Sequence, residues 1–190
     1  MSRKIALIPA RSGSKGLKNK NILNLHGKPL YRYSTDFAIQ STYFDNVILT
    51  TDDEKILKWH ENDTSLSIEN RPAKLATDSA TIKDVVNDLY IKGSLLRDDI
   101  VFLLQPTSPY RSFVDLQKIE KLAAFSNYDM ALCSVVKVDD HHPSRMYEMK
   151  DNICRSIDVQ NSSKLRQELK SLYLRNGCFY MSKVHSIVKA

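Results

Sequence analysis

At 190 residues, with 42% hydrophobic and 26% charged residues, the chain is one domain's worth of protein and can bury a sizeable core without disulfide or zinc support. Its 28 lysines and arginines outnumber its 22 acidic residues, and the formal charge of +6 favours an anionic ligand by long-range attraction, whether nucleotide, nucleic acid or membrane surface. No block of consecutive basic residues marks a nucleic-acid-binding tail, no apolar run approaches the ~18 residues of a membrane span, and the apolar run near the start is too short for a signal peptide.

Ile5-Ala6-Leu7-Ile8 reads as a buried strand stopped at Pro9. The loop after it, residues 10–21 (ARSGSKGLKNKN), packs Arg11, Gly13, Lys15, Gly16, Lys18 and Lys20 together. Glycines let backbone N–H groups turn inward and the basic side chains supply charge, so phosphate is the natural guest; a solvated basic loop is the alternative. The spacing matches neither G-x-x-x-x-G-K-[ST] nor G-x-G-x-x-G. Residues 22–28 form a short segment with Gly27 as a turn. Pro29 then opens a helix over LYRYSTDFAIQS, with Leu30, Tyr33, Ser34 and Phe37 on one face.

Val47-Ile48-Leu49 predicts a second strand, with Thr51 or Asp52 capping a helix that begins near Asp53. Leu66 and Ile68 suggest a short strand ending at Asn70, and residues 69–78 a loop. A helix follows from Thr81 to about Lys92, with Ile82, Val85, Val86, Leu89 and Tyr90 inward. Residues 99–104 give the strongest strand signal and end abruptly in QPTSPYRS, stiffened by Pro106 and Pro109. Residues 113–125 read as helix, with Leu116, Ile119, Glu120 and Leu122 near the period, and Met130–Val136 as another buried strand.

After Val138 the texture becomes polar. It suggests a projecting hairpin around Asp151-Asn152, a short helical piece over 164–173, a turn at Arg175-Asn176-Gly177, a strand at 178–181, and a final stub capped by Ser182. The alternation of apolar strands and amphipathic helices predicts an α/β fold with a mostly parallel sheet covered on both faces. Ligands in such sheets bind beyond the carboxyl ends of the strands, where the loop 10–21, TTDDE (50–54) and QPTSPYR (105–111) are expected to converge.

Arg11, Lys15 and Lys20 are candidates to neutralise phosphate oxygens, Arg11 bidentately. Ser12 and Ser14 add hydroxyl donors, and Asn21 a phosphate or ribose contact; Lys18 reads as a solvated lysine. Asp52 and Asp53 follow a strand, where helix capping competes with chemistry. Arg71 is either an anion partner or a surface charge, and Asp78 either a cap or a ligand group. Gln105 and Thr107 sit where the strongest strand ends, positioned to read a small polar substrate. His141-His142 lacks a third ligand at metal spacing, and no hydrolase motif is present. Cys133, Cys154 and Cys178, an odd number without C-x-x-C, suggest buried thiols in a reducing, cytoplasmic compartment.

Five segments, IPARSGSKGLKNKN (8–21), TTDDEKI (50–56), RPAKLATD (71–78), LLQPTSPYR (103–111) and RNGCFYM (175–181), together resemble the acylneuraminate cytidylyltransferase family, the CMP-sialic acid synthetases, over nearly the whole chain. The resemblance implies a Rossmann-like nucleotidyltransferase in a single domain, 1–190, with a small dimerisation insert over 139–174. It implies that CTP and a nine-carbon 2-keto sugar acid give a CMP-sugar and pyrophosphate in a homodimer, with Mg²⁺ bridging phosphate oxygens. Carried over residue by residue, it places Arg11, Ser14, Lys15, Lys20 and Asn21 on the phosphates and Arg71 and Thr81 near ribose or base. Gln105 and Thr107 would face the sugar acid, Arg145 and Arg166 would approach its pocket, and Asn176 and Tyr180 would border it. Arg11, Lys20 and Gln105 are the expected catalytic residues. Relatives using pseudaminic or legionaminic acid share these motifs.

The family pattern continues past R-N-G-x-x-Y to a D-x-D pair, the expected Mg²⁺ anchor. The sequence stops at Ala190 before such a pair, and Asp52, Asp53 and Asp78 do not match it, so the metal ligands are unknown. The chain is then either a fragment or naturally short, and a CTP-binding relative with no or impaired transfer is the alternative to the enzyme. Nucleic-acid binding has only the net charge in its favour, since no aromatic-basic interleaving or named module supports it.

Overall fold

The tetrad Ile5–Ile8 forms the fully buried middle of β1 (Lys4–Pro9) in the computed structural model, which describes residues 2–14, 16–138 and 141–189. The hairpin of β2 (Asn24–Leu25) and β3 (Lys28–Pro29) follows, turning at His26 and Gly27, both at positive φ as a two-residue hairpin turn requires. The chain continues through α1 (Leu30–Ser41), β4 (Asn46–Thr51), α2 (Glu54–Trp59), β5 (Ser67–Asn70), α3 (Ile82–Ile91), β6 (Ile100–Leu103), α4 (Phe113–Phe125) and β7 (Leu132–Val138). It ends with β8 (Tyr147–Lys150), β9 (Ile153–Ser156), β10 (Leu172–Lys183) and α5 (Val184–Lys189).

The chain divides into two compact units, Met1–Cys133 with Gly177–Ala190, and Ser134–Asn176. In the larger unit the strand order is β5-β4-β1-β6-β10. β1 pairs in parallel with β4 (Ile8 opposite Leu49) and with β6 (Leu7 opposite Leu103), β4 pairs in parallel with β5, and β10 closes antiparallel on β6, Tyr180 opposite Leu103. The sheet is therefore mixed, its four-stranded parallel part carrying the βαβ connections.

Successive side chains on a strand point to opposite faces, and the core divides accordingly. Ala6, Ile8, Leu49 and Phe102 pack with Tyr31 and Phe37 of α1 and Leu116 of α4; Ile5, Leu7, Ile48 and Val101 pack with Val85, Val86 and Leu89 of α3 and Val184 of α5. Polar groups taken into the interior are paired. The Tyr31 hydroxyl meets His60 Nε2 at 2.9 Å, and His60 Nδ1 meets Asp63 at 2.7 Å, which ties α1 to the end of α2.

In the smaller unit β8 and β9 form the expected hairpin, with Asp151 and Asn152 both at positive φ, and β7 lies next to β10, where Ser134 Oγ donates to Asn176 Oδ1 at 2.5 Å. No helix among the described residues is long and apolar enough to cross a membrane.

Several local expectations need correction. Asp53, not Thr51 or Asp52, caps α2, accepting the N–H groups of Lys55 and Ile56. The buried stripe of α1 is Tyr31, Ser34, Thr35, Phe37 and Ala38, while Leu30 and Tyr33 stay half-buried. Tyr90 on α3 and Leu122 on α4 face outward. β7 is largely exposed rather than buried, with Val135 and Val136 outward. The helical piece at 164–173 shrinks to one 3-10 turn at Arg166–Glu168, because its last residues, Leu172 and Tyr173, are taken into β10 and too few are left to propagate a helix. Arg175-Asn176-Gly177 is not a turn; it lies inside β10, where Gly177 takes a φ of 75° without ending the strand. Cys133 and Cys154 are exposed, not buried, and Cys178 is half-buried.

Phe102 is fully enclosed, edge-on to the rings of Tyr43 and Phe44 at 5.6 and 5.4 Å, whereas Phe125 is 91% exposed. Phe102→Ala is expected to lower the unfolding free energy by about 3–5 kcal/mol, and Phe125→Ala to leave it within about 0.5 kcal/mol, both read from urea denaturation.

Candidate functional site

Beyond Pro9 the chain leaves the sheet, and the first turn of the loop is fixed by backbone and buried polar contacts. Ala10 N–H donates to the Thr50 carbonyl (2.9 Å), and the Thr51 hydroxyl donates to the Ala10 carbonyl (2.6 Å). Asp52 takes both the N–H and the hydroxyl of Ser12, at 2.8 and 2.5 Å. The buried Asn21 amide donates to the Arg11 carbonyl (2.8 Å), joining the end of the loop to its beginning. Asn21 therefore holds the loop's shape with its amide nitrogen. A one-turn helix at Lys20–Ile22, entered through Asn19 at positive φ, ends the loop.

Arg11 points across to the segment after β5. Its guanidinium donates to Asp78 Oδ1 (2.6 Å) and to the Ala76 carbonyl (3.2 Å). Asp78 is thus a partner of Arg11 and not a cap; Thr81 caps α3, in a reciprocal box with Asp84 that holds the Asp84 carboxyl below its ordinary range. Arg71 is buried and donates to the Thr50 carbonyl (3.0 Å) and hydroxyl (3.3 Å). Burial lowers its pKa below the ordinary arginine value; nearby Asp52 opposes that, and Arg11 adds to it. A third segment arrives from β6: Leu104 N–H continues the pairing to the Leu7 carbonyl (2.9 Å), and the turn closes with Ser108 N–H on the Gln105 carbonyl (3.1 Å).

These three segments enclose one cavity of about 380 Å³. Arg11, Ser14, Lys20, Asn21, Arg71, Thr81, Gln105 and Thr107, all singled out from the sequence, line it together with Pro9, Gly16, Ala80 and Pro106. Lys15 lies outside the described residues. Lys18 lines a more open cavity of similar size that shares Arg11 and Ser14 with the first. The described lining of the first cavity carries three cationic side chains, Arg11, Lys20 and Arg71, and neither a carboxylate nor a histidine. A site of this composition binds and neutralises anionic oxygens and offers hydroxyl and amide donors around them. Among its described residues it lacks the carboxylates that hold a divalent cation, and Asp52, Asp53 and Asp78 are engaged by Ser12, the α2 N-terminus and Arg11.

Tyr180 packs among the residues of the α3 face of the core. Asn176, Arg145 and Arg166 belong to the smaller unit, where Arg145 donates to the Lys164 carbonyl (2.9 Å). Arg166 there lines a cavity of about 330 Å³ with Lys137, His142 and Lys170. Two residues hold the site from outside: Asp52, read from the sequence as a cap or a chemical carboxylate, anchors the loop through Ser12, and Arg111, which the sequence left without a role, holds the Gln105 carbonyl (2.6 Å). Asp52 was visible as a carboxylate after a strand, and Arg111 as the charge that closes QPTSPYR, but nothing in one sequence names their partners.

Residues 5–185 match the family model described as cytidylyltransferase. The chain is 35% identical over 187 residues to an N-acylneuraminate cytidylyltransferase of Escherichia coli O18:K1:H7, covering 95% of this chain and 42% of that protein. It is 29% identical over 198 residues to a CMP-N,N'-diacetyllegionaminic acid synthase of Legionella pneumophila, covering 98% of this chain and 81% of that one. The chain spans under half the length of the N-acylneuraminate cytidylyltransferases it matches. Among solved structures, a CMP:2-keto-3-deoxy-manno-octonic acid synthetase complexed with CTP superposes with a TM-score of 0.71 at 17% identity, over 99% of this chain and 76% of that one, a likeness of fold alone. The Rossmann-like α/β architecture and the motif resemblance therefore agree, and the chain belongs to the cytidylyltransferase family, with N-acylneuraminate cytidylyltransferases among its relatives.

Proposed function

We propose that the chain binds CTP in the 380 Å³ cavity and transfers its cytidylyl group to the anomeric hydroxyl of a nonulosonic acid. The observation that carries this reading is the lining: three cations and several neutral donors, assembled from the three motif segments, around a space without a described carboxylate. Arg11, Ser14 and Lys20 serve the phosphates, Arg71 and Thr81 the ribose or base, and Gln105 and Thr107 the acid. The hydroxyl oxygen attacks the α-phosphorus and gives up its proton to solvent water, the bond from that phosphorus to the bridging oxygen breaks, and pyrophosphate leaves with the electron pair. In this reading the protein holds attacker and leaving group in line and neutralises the charge that develops, Lys20 on the α-phosphate side and Arg11 toward the leaving group.

Mg²⁺ is the cation such chemistry uses, and it would supply charge neutralisation on the phosphates. The described residues of this cavity do not fit a protein-held divalent ion, and no step above is routed through one. The same observation favours a second reading, CTP binding without transfer. Calorimetry together with pyrophosphate release separates the two.

The partner proposed is a second copy of the chain. The smaller unit exposes Tyr147, Met149, Ile153, Val159, Tyr173 and Leu174, each about 60–75% accessible, an amount of apolar surface that is unusual for 43 residues meant to face water. Arg145 and Arg166 enter the reading as that unit's contribution to the acid's carboxylate in the partner subunit's pocket.

Three outcomes are expected. CTP with a panel of N-acetylneuraminic, legionaminic and pseudaminic acids releases pyrophosphate for at least one acid; tight CTP binding with no release from any of them favours the second reading. Lys20→Ala and Arg11→Ala each weaken CTP binding by about tenfold or more, the scale of one lost hydrogen bond to a charged group, and the affinity falls with added salt; unchanged titrations in both variants would remove the phosphate assignment. Sedimentation gives a dimer that Met149→Asp with Ile153→Asp converts to monomer, and a wild-type monomer would remove the partner proposal.

A further inference from the structure

Arg111 follows the turn after β6 and does not line the cavity, yet its guanidinium is committed to three neutral oxygens. Nε donates to the Cys178 carbonyl (2.9 Å), one terminal nitrogen to the hydroxyl of the fully buried Ser34 (2.9 Å), and the other to the Gln105 carbonyl (2.6 Å). Among the described residues no carboxylate pairs with it, and burial brings its pKa down to about 10. Withdrawing a charge from water without a counter-ion is expensive. Grasping oxygens from α1, from the turn and from β10 with three separate nitrogens is something only the arginine fork can do.

Of those oxygens, the Gln105 carbonyl belongs to a residue whose side chain reaches the cavity. The Gln105 amide also lies against β10: a methyl placed on Gly177, the neighbour of Cys178, would stand 3.5 Å from Gln105 Oε1 and 3.4 Å from Ser108 Oγ. One guanidinium therefore sets the spacing between β10 and the turn, and the Gln105 amide lies in that gap. We propose that Arg111 is a positioning residue, which clamps the Gln105 carbonyl to β10 and so fixes the direction in which the Gln105 amide enters the pocket. Its consequence for acid recognition rests on the reading that Gln105 faces the sugar acid.

The test compares wild-type chain with Arg111→Met and Arg111→Lys. It follows the Gln105 side-chain amide cross-peaks in ¹⁵N-labelled protein, CTP affinity by calorimetry, and the KM for N-acetylneuraminic acid. Lysine keeps the charge, but its donors sit on one nitrogen and cannot span three oxygens that Arg111 meets with three separate nitrogens, so it decides the matter if Arg111→Met does not fold. The expected result in Arg111→Lys is that the Gln105 cross-peaks move to the positions of a solvent-exposed glutamine and the acid KM rises by about tenfold, with CTP affinity kept. Gln105 cross-peaks that stay at their wild-type positions while the melting temperature falls would mark a plain structural tie and overturn the proposal. The cross-peaks are read without turnover, so they judge the clamp even if wild-type chain releases no pyrophosphate. Peaks that move with an unchanged acid KM would leave the clamp standing and remove Gln105 from the acid's site.

Discussion

β1 lies between β4 and β6 and runs parallel to both, and the rest of the site depends on that placement. The crossover from β1 to β4 runs through α1 on one face of the sheet, while β6 is reached through α3 on the other, so a crevice opens beyond the carboxyl end of β1. The loop 10–21 drops into that crevice, with the segment after β5 on one side and the turn after β6 on the other. The cavity exists because the backbone has to part there, and its lining follows from which residues occupy the first few positions beyond each strand.

The polar contacts around the crevice share one pattern. Arg71 is spent on Thr50, Asp52 on Ser12, Asn21 on the Arg11 carbonyl and Arg111 on three neutral oxygens. Most of these partners are groups of the chain that would otherwise be unsatisfied when buried. The consequence is a set of donors and charges fixed before any ligand arrives, which lowers the reorganisation needed to bind one. Lys20 differs: no described group engages its ammonium, so it stays free to follow a ligand as its charge distribution changes.

Much of this was legible in the sequence because the signals were local. The run Ile5–Ile8, the apolar residues 100–104 and the helix 113–125 sit where periodicity places them. The density of glycine and lysine in 10–21 identified the loop, and the ends of three strands identified its neighbours. The misreadings came where local chemistry was ambiguous. Arg175-Asn176-Gly177 has turn composition, but a long strand absorbs one positive φ without breaking. Val135 and Val136 are apolar and alternate weakly, which reads as burial, yet their strand belongs to a unit whose apolar side chains face outward within the chain. The anchoring roles of Asp52 and Arg111 were not legible, since Ser12 lies 40 residues from Asp52, and Cys178 and Ser34 lie 67 and 77 from Arg111, so that only the fold brings them together.

The ion pair between Arg11 and Asp78 makes the site choosy about what it exchanges. An anion that takes Arg11 has to evict a carboxylate already in place, and a singly charged visitor swaps one negative partner for another with little net gain. A ligand carrying several negative groups fares differently, because it can meet Lys20 and Ser14 in the same event and spread the cost of eviction over all of them. The carboxylate at the rim thus works as a threshold that screens out small monovalent ions such as chloride or acetate, and it leaves the basic cavity open to polyanions without making it sticky toward every negative charge in solution.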